Sequence, residues 1–167
     1  MKATNSNELI DKVAVALDKA STIDELAWLL VDQVISKLSC QDCVIYLFSK
    51  KRNSLLQVAA FGAKRKLDNS IRNPIRIDPG EGIVGRVFQS GVPRIVRDTS
   101  RDSNYIIDDR FRLSEISIPI LNHGKVIGVI DSEHPSENFY TNKDKEILTQ
   151  FAVLFASKIE QFNFKFD

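Results

Sequence analysis

The chain has 167 residues, with 23 basic against 22 acidic side chains and a formal net charge of +1, so it carries no long-range field to concentrate nucleic acid or an anionic membrane. Its length suits one domain of ordinary size with its own core. No apolar run approaches the roughly 18 residues that span a bilayer, the opening Met-Lys-Ala-Thr-Asn-Ser lacks the apolar stretch of a signal peptide, and two cysteines are too few for a secreted disulfide framework. The expectation is a cytoplasmic protein with small-molecule or protein partners.

Along the chain, Leu9, Ile10, Val13, Leu17 and Ala20 recur at helical spacing after Ser6, which predicts a helix over 6–20. Thr22-Ile-Asp-Glu25 reads as a capping box opening a second helix that runs to about Leu38. Val44–Phe48 and Leu55–Phe61 are continuous apolar runs around the polar Lys50–Ser54, as expected of strands covered on both faces. A polar loop follows over 62–74, then a short strand at Ile75–Ile77, a helix of about two turns over 82–90, a strand at Ile95-Val96, and a second polar loop over 97–114 rich in Asp and Arg. Ser117–Leu121 and Lys125–Asp131 are β-rich and joined by Asn122-His-Gly124, so they pair antiparallel. Thr141 caps a last helix whose Ile147, Leu148, Phe151, Leu154, Phe155 and Ile159 form one apolar stripe. This order predicts an α+β fold: a central antiparallel sheet with the N- and C-terminal helices on one face, and the 82–90 helix and two polar loops on the other.

One motif in this frame is deceptive. Gly80-Glu-Gly82-Ile-Val-Gly85 matches the dinucleotide-binding pattern G-x-G-x-x-G, and Asp98 stands near the place of a ribose-binding acid. A parallel βαβ unit takes about thirty residues or more, whereas the helix here is too short and an antiparallel hairpin follows. Those glycines would let an anion approach the helix N-terminus, with Arg86 adding charge; the reading adopted is that they shape a tight turn and bring the helix close to the sheet.

Cys40-Gln-Asp-Cys43 follows a helix and precedes a strand, the reverse of the thioredoxin-like order. A zinc site would need two more ligands, and the only histidines, His123 and His134, stand at opposite ends of one strand. No metal, catalytic group or particular cofactor is indicated. The polar groups expected to face a pocket on the second sheet face are Asp98, Asp102, Tyr105, Glu115, Ser117, Glu133 and His134, although any acid in such a loop is ordinarily just solvated.

The run Gly-x-Gly-Ile-x-Gly-x-Val-x-x-x-Gly-x-Pro at 80–93, with Asp98, Ser117, Pro119-Ile120, Gly124, Ile127-Gly128-Val129-Ile130, Phe139 and Asp144, resembles the GAF domain family from about Ile23 to Ile159. The resemblance implies a single GAF-like domain over 1–167, with its core at 22–162 and helix 6–20 as a linker or dimerisation helix. It implies a sensory domain of a signal-transduction protein, without enzymatic activity. Such a domain binds an unidentified small molecule, forms a homodimer, and passes its ligand state through the terminal helices to an output domain or partner protein. Two departures narrow it. Ser132-Glu-His-Pro135 replaces the Asn-Lys of the cyclic-nucleotide signature, and 97–114 lacks the cysteines of the free-methionine sulfoxide reductase branch. A redox enzyme of that branch and a degenerate domain used only for dimerisation are the alternative functions.

Overall fold

A computed structural model describes residues 6–162. In chain order the elements are α1 (Ser6–Leu17), α2 (Ile23–Leu38), β1 (Cys43–Ser49), β2 (Ser54–Phe61), β3 (Arg76–Ile77), α3 (Gly82–Ser90), β4 (Arg94–Val96), β5 (Ser114–Asn122), β6 (Lys125–His134) and α4 (Asn142–Ile159). The strands form one sheet in the order β3-β2-β1-β6-β5-β4, and every neighbouring pair is antiparallel.

Local chemistry accounts for the boundaries. The Thr22 hydroxyl accepts from the Glu25 amide at 3.1 Å and opens α2, but the Glu25 carboxylate accepts from Ser21 at 2.7 Å, so the expected box closes one residue early. Thr141 and Asp144 cap α4 reciprocally. His123 and Gly124, both at positive φ, make a two-residue turn between β5 and β6 whose twist suits the strands. Periodicity extended α1 to residue 20, but it stops at Leu17, because residues 18–20 turn toward the start of α2.

Each sheet face has its own core. On one, Ile45, Leu47, Ile116, Ile118, Ile120 and Ile130 meet Leu26 and Leu30 of α2 and Phe151, Phe155 and Ile159 of α4. Val13 and Leu17 fix α1 in the same cluster, wholly buried, and each contributes roughly 1.5–3 kcal/mol by leaving water. On the other face Val44, Tyr46, Leu55, Ile77 and Val129 form a smaller cluster with Val84 and Val87 of α3. An antiparallel sheet leaves no place for a dinucleotide crossover. Gly85 instead brings α3 close to the preceding turn, where a Cβ would stand 2.4 Å from the Asp78 carbonyl oxygen.

Candidate functional site

Side chains alternate along a strand, and β5 and β6 use the alternation to separate two chemistries. Ile116, Ile118, Ile120 and Ile130 point under the helices. Their neighbours Glu115, Asp131 and Glu133 point the other way, into a narrow cavity of about 20 Å³, room for about one water. Asp42, just before β1, and Asp108, from the loop after β4, complete a wall of five carboxylates. The rest of the lining is apolar and includes Val44, Tyr46, Ile77, Ile83, Val84 and Ile106.

Arg112 is the guanidinium at the acidic end. It reaches Asp109 at 2.5 Å, Glu133 at 3.3 Å and Asp42 at 3.5 Å. The Asp42 carboxylate also accepts from the Glu133 amide at 3.2 Å, and the Ser117 hydroxyl donates to Asp131 and, at 3.3 Å, to Glu115. One cation does not neutralise this group, and burial favours the protonated forms. Burial pushes Asp42 up to about 7 even with Arg112 opposing. Asp131 is raised to about 6 by burial, against its hydrogen bond from Ser117. Burial, then the charges of Asp131 and Asp42, raise Glu133 to about 9, while burial and the same Asp131 hold Glu115 well above the carboxylate range.

Of the seven residues expected at the pocket, Glu115 and Glu133 stand in its wall and Ser117 supports it from behind. The other four stand outside its lining. Asp98 caps the short turn at 99–101, accepting from the Ser100 amide at 3.1 Å, and pairs with Arg101 at 3.0 Å. Asp102 is held by Arg94 at 2.5 Å and by the Asn104 amide at 2.9 Å. Both shape their loop instead of lining the cavity. Tyr105 braces that loop, its hydroxyl accepting from the Arg112 amide at 3.0 Å, and it stands beside the Glu133 carboxylate of the wall. His134 stacks on Phe139 with ring centroids 3.5 Å apart and lies outside the lining; burial lowers its pKa. Asp42, Asp108, Asp131 and Arg112 are the residues that sequence reasoning missed. For Asp131 a signal was present, since Val129-Ile-Asp131-Ser-Glu133 alternates in phase with Glu115-Ile-Ser117.

Cys40 and Cys43 are free thiols buried in the helix-side core, and burial pushes both pKa values up. Among the described residues, no group of three or more His, Cys, Asp or Glu side chains is placed to hold a metal ion. No described helix is long and apolar enough to cross a membrane.

Comparison with known proteins places this architecture. A GAF domain profile matches residues 20–160. The chain belongs to the GAF domain family. Protein YtsP of Bacillus subtilis is 32% identical over 87 residues, 52% of this chain and 53% of that protein, and this chain spans about half the length of the curated relatives it matches. The GAF domain from an Acinetobacter phosphoenolpyruvate-protein phosphotransferase superposes with a TM-score of 0.85 at 16% identity, covering 98% of this chain and 99% of that one. A free methionine-R-sulfoxide reductase from Neisseria meningitidis, solved with its substrate, superposes with a TM-score of 0.84 at 17% identity over 98% and 95% of the two chains. At these identities the likeness is one of fold.

These matches correct the expectation of a domain without enzymatic activity. A Saccharomyces cerevisiae free methionine-R-sulfoxide reductase is 34% identical over 76 residues, 45% of this GAF chain and 42% of that enzyme. Family membership therefore does not mark the chain as non-catalytic.

Proposed function

We propose that this chain is a sensory GAF domain that binds a small organic cation in the acidic cavity and passes the bound state to its terminal helices. The observation that carries this reading is the imbalance of charge. Five carboxylates line one small cavity, and the cations bonded to them are Arg112 and Lys64. Protons make up the difference in the narrow cavity, and a ligand's ammonium or guanidinium group would exchange for them. The Neisseria reductase acts, by its name, on free methionine-R-sulfoxide, which carries an ammonium of this kind.

The strands supply the route outward. β5 and β6 hold carboxylates on one side and the isoleucines beneath α4 on the other, while Ser132 joins the Asp42 carbonyl to the Tyr140 hydroxyl. A ligand that prefers one arrangement of these strands biases the helices packed on them. A homodimer and an output domain or partner protein complete the reading, with α1 as the linking helix outside the GAF core. Val13 and Leu17 are consumed inside the fold, so the interface rests on Val15 and Val153, exposed on α1 and α4. Phe164 and Phe166 lie outside the described residues. Two free thiols suit the reducing cytoplasm.

Native mass spectrometry of protein purified from cells tests the reading. A retained small molecule that carries a cationic nitrogen is the expected result, and a retained anion would overturn it.

A further inference from the structure

Residues 102–112 supply Ile106 and Asp108 to the lining of the cavity, and their ends are tied down. Asp102 is fixed to Arg94 on β4 at 2.5 Å, and near the other end the Arg112 carbonyl accepts from the Thr99 hydroxyl. The span between carries apolar side chains into water, with Ile107 57% and Phe111 49% exposed. Two contacts fasten its middle to the far side of the cavity. Ile106 lies on Gly82 at the start of α3, where a Cβ would come within 2.6 Å of its Cδ1. Asp108 accepts from the Lys64 ammonium at 2.6 Å and from the Gln57 amide at 2.6 Å.

Lys64 is an unusual partner. It is 2% exposed, and its ammonium also donates to the Asn73 carbonyl at 2.8 Å, so the polar loop after β2 delivers a buried cation to a carboxylate on a different loop. A buried ion pair adds little to net stability compared with apolar packing of the same volume, but it fixes one arrangement sharply, because separating the partners strands two charges. Gln57 joins the same network, donating to the Tyr46 hydroxyl at 2.9 Å and accepting from the Ile75 amide at 3.1 Å. The cavity, at about 20 Å³, is too small for an organic molecule. Opening it means lifting Ile106 from Gly82 and parting Asp108 from Lys64 and Gln57.

We infer that Lys64 is the latch of this cavity: through Asp108 it holds residues 102–112 shut, and the making and breaking of that ion pair sets access to the acidic wall. Lys64 acts here as a positioning residue, since it touches the lid and is absent from the lining. The inference rests on the proposed function only in taking the cavity as the binding site. Its test uses no ligand, so a failed latch and a failed ligand search are separate results.

The probe is carbodiimide coupling of glycine ethyl ester to carboxylates, mapped by mass spectrometry on the full chain, alongside amide hydrogen exchange. In Lys64→Met, labelling of Asp131 and Glu133 is expected to rise roughly tenfold, the factor that losing one charge-assisted hydrogen bond gives the open population. Exchange should accelerate over 102–112 and stay unchanged in β5 and β6. Unchanged labelling overturns the latch. So does a rise shared by carboxylates outside the cavity with faster exchange through the sheet, which would make the pair a general support of the fold. Should Lys64→Met fail to fold, Lys64→Met/Asp108→Leu, with neither charge left, takes its place under the same outcomes, and its failure to fold also overturns the inference.

Discussion

The two faces of this sheet are made from the same strands and behave as two different solvents. Under the helices, Ile116, Ile118, Ile120 and Ile130 join a large aliphatic and aromatic core in which many contacts share the load. One residue away, Glu115, Asp131 and Glu133 face a cavity whose arrangement is held by ion pairs and hydrogen bonds. Strand parity thus divides aliphatic packing from a polar cavity wall. A substitution in β5 or β6 should act on one or the other according to the side it faces.

The sharpest way to break this division is to cut each face once. Phe151→Ala, on the helix side, should cost about 3–5 kcal/mol in urea denaturation. Glu115→Gln, on the cavity side, should change stability by less than about 1 kcal/mol, because the amide keeps the shape and burial already disfavours the charged form of the acid. Equal losses would mean that the cavity wall is ordinary core.

Titration sharpens the same contrast. Asp131, Asp42 and Glu133 hold their protons up to about 6, about 7 and about 9 in the folded chain, and the unfolded chain releases them near pH 4. Between those limits the folded state binds more protons, so stability is greatest at the acid end and falls as pH rises toward 9. Denaturation at pH 5, 7 and 9 should show the decline, and Glu133→Gln should flatten it between 7 and 9. A smaller effect is expected from the thiols. Cys40→Ala/Cys43→Ala should cost about 1–2 kcal/mol of packing and leave ligand shifts and any turnover of free methionine-R-sulfoxide as in the wild type. Smallest of all, Val15→Ser/Val153→Ser should weaken a dimer in sedimentation with no loss of thermal stability, whereas polar residues at Val13 or Leu17 would unfold the chain because both are wholly buried.

What was legible in the sequence was what short-range chemistry dictates. Thr141 with Asp144, the His123-Gly124 turn and the apolar stripe of α4 are signals a few residues long, and they yielded the α+β fold and the choice of face. The site was harder because its groups converge from afar. Asp108 meets Lys64 across 44 residues, and Asp42 meets Glu133 across 91, with no local pattern marking either. Asp98 and Asp102 show the opposite case, bonded within their own loop. In a loop rich in Asp and Arg, acids that bond their own turn cannot be told by composition from the one that reaches across the cavity. Asp131 closes an apolar run and reads as a strand end until the alternation is followed two residues further.

The central claim is that the cavity takes a positive charge, and thermal unfolding at pH 8 tests it most directly. The wild type is compared with Asp131→Asn/Glu133→Gln against small primary amines, amino acids including methionine and its sulfoxide, and carboxylates without a cationic nitrogen. At least one ammonium compound should raise the wild-type midpoint, lose that effect at pH 5.5, where Asp131, Asp42 and Glu133 hold protons, and leave the variant unmoved. Stabilisation by the carboxylates alone, or an equal response from the variant, would contradict the account.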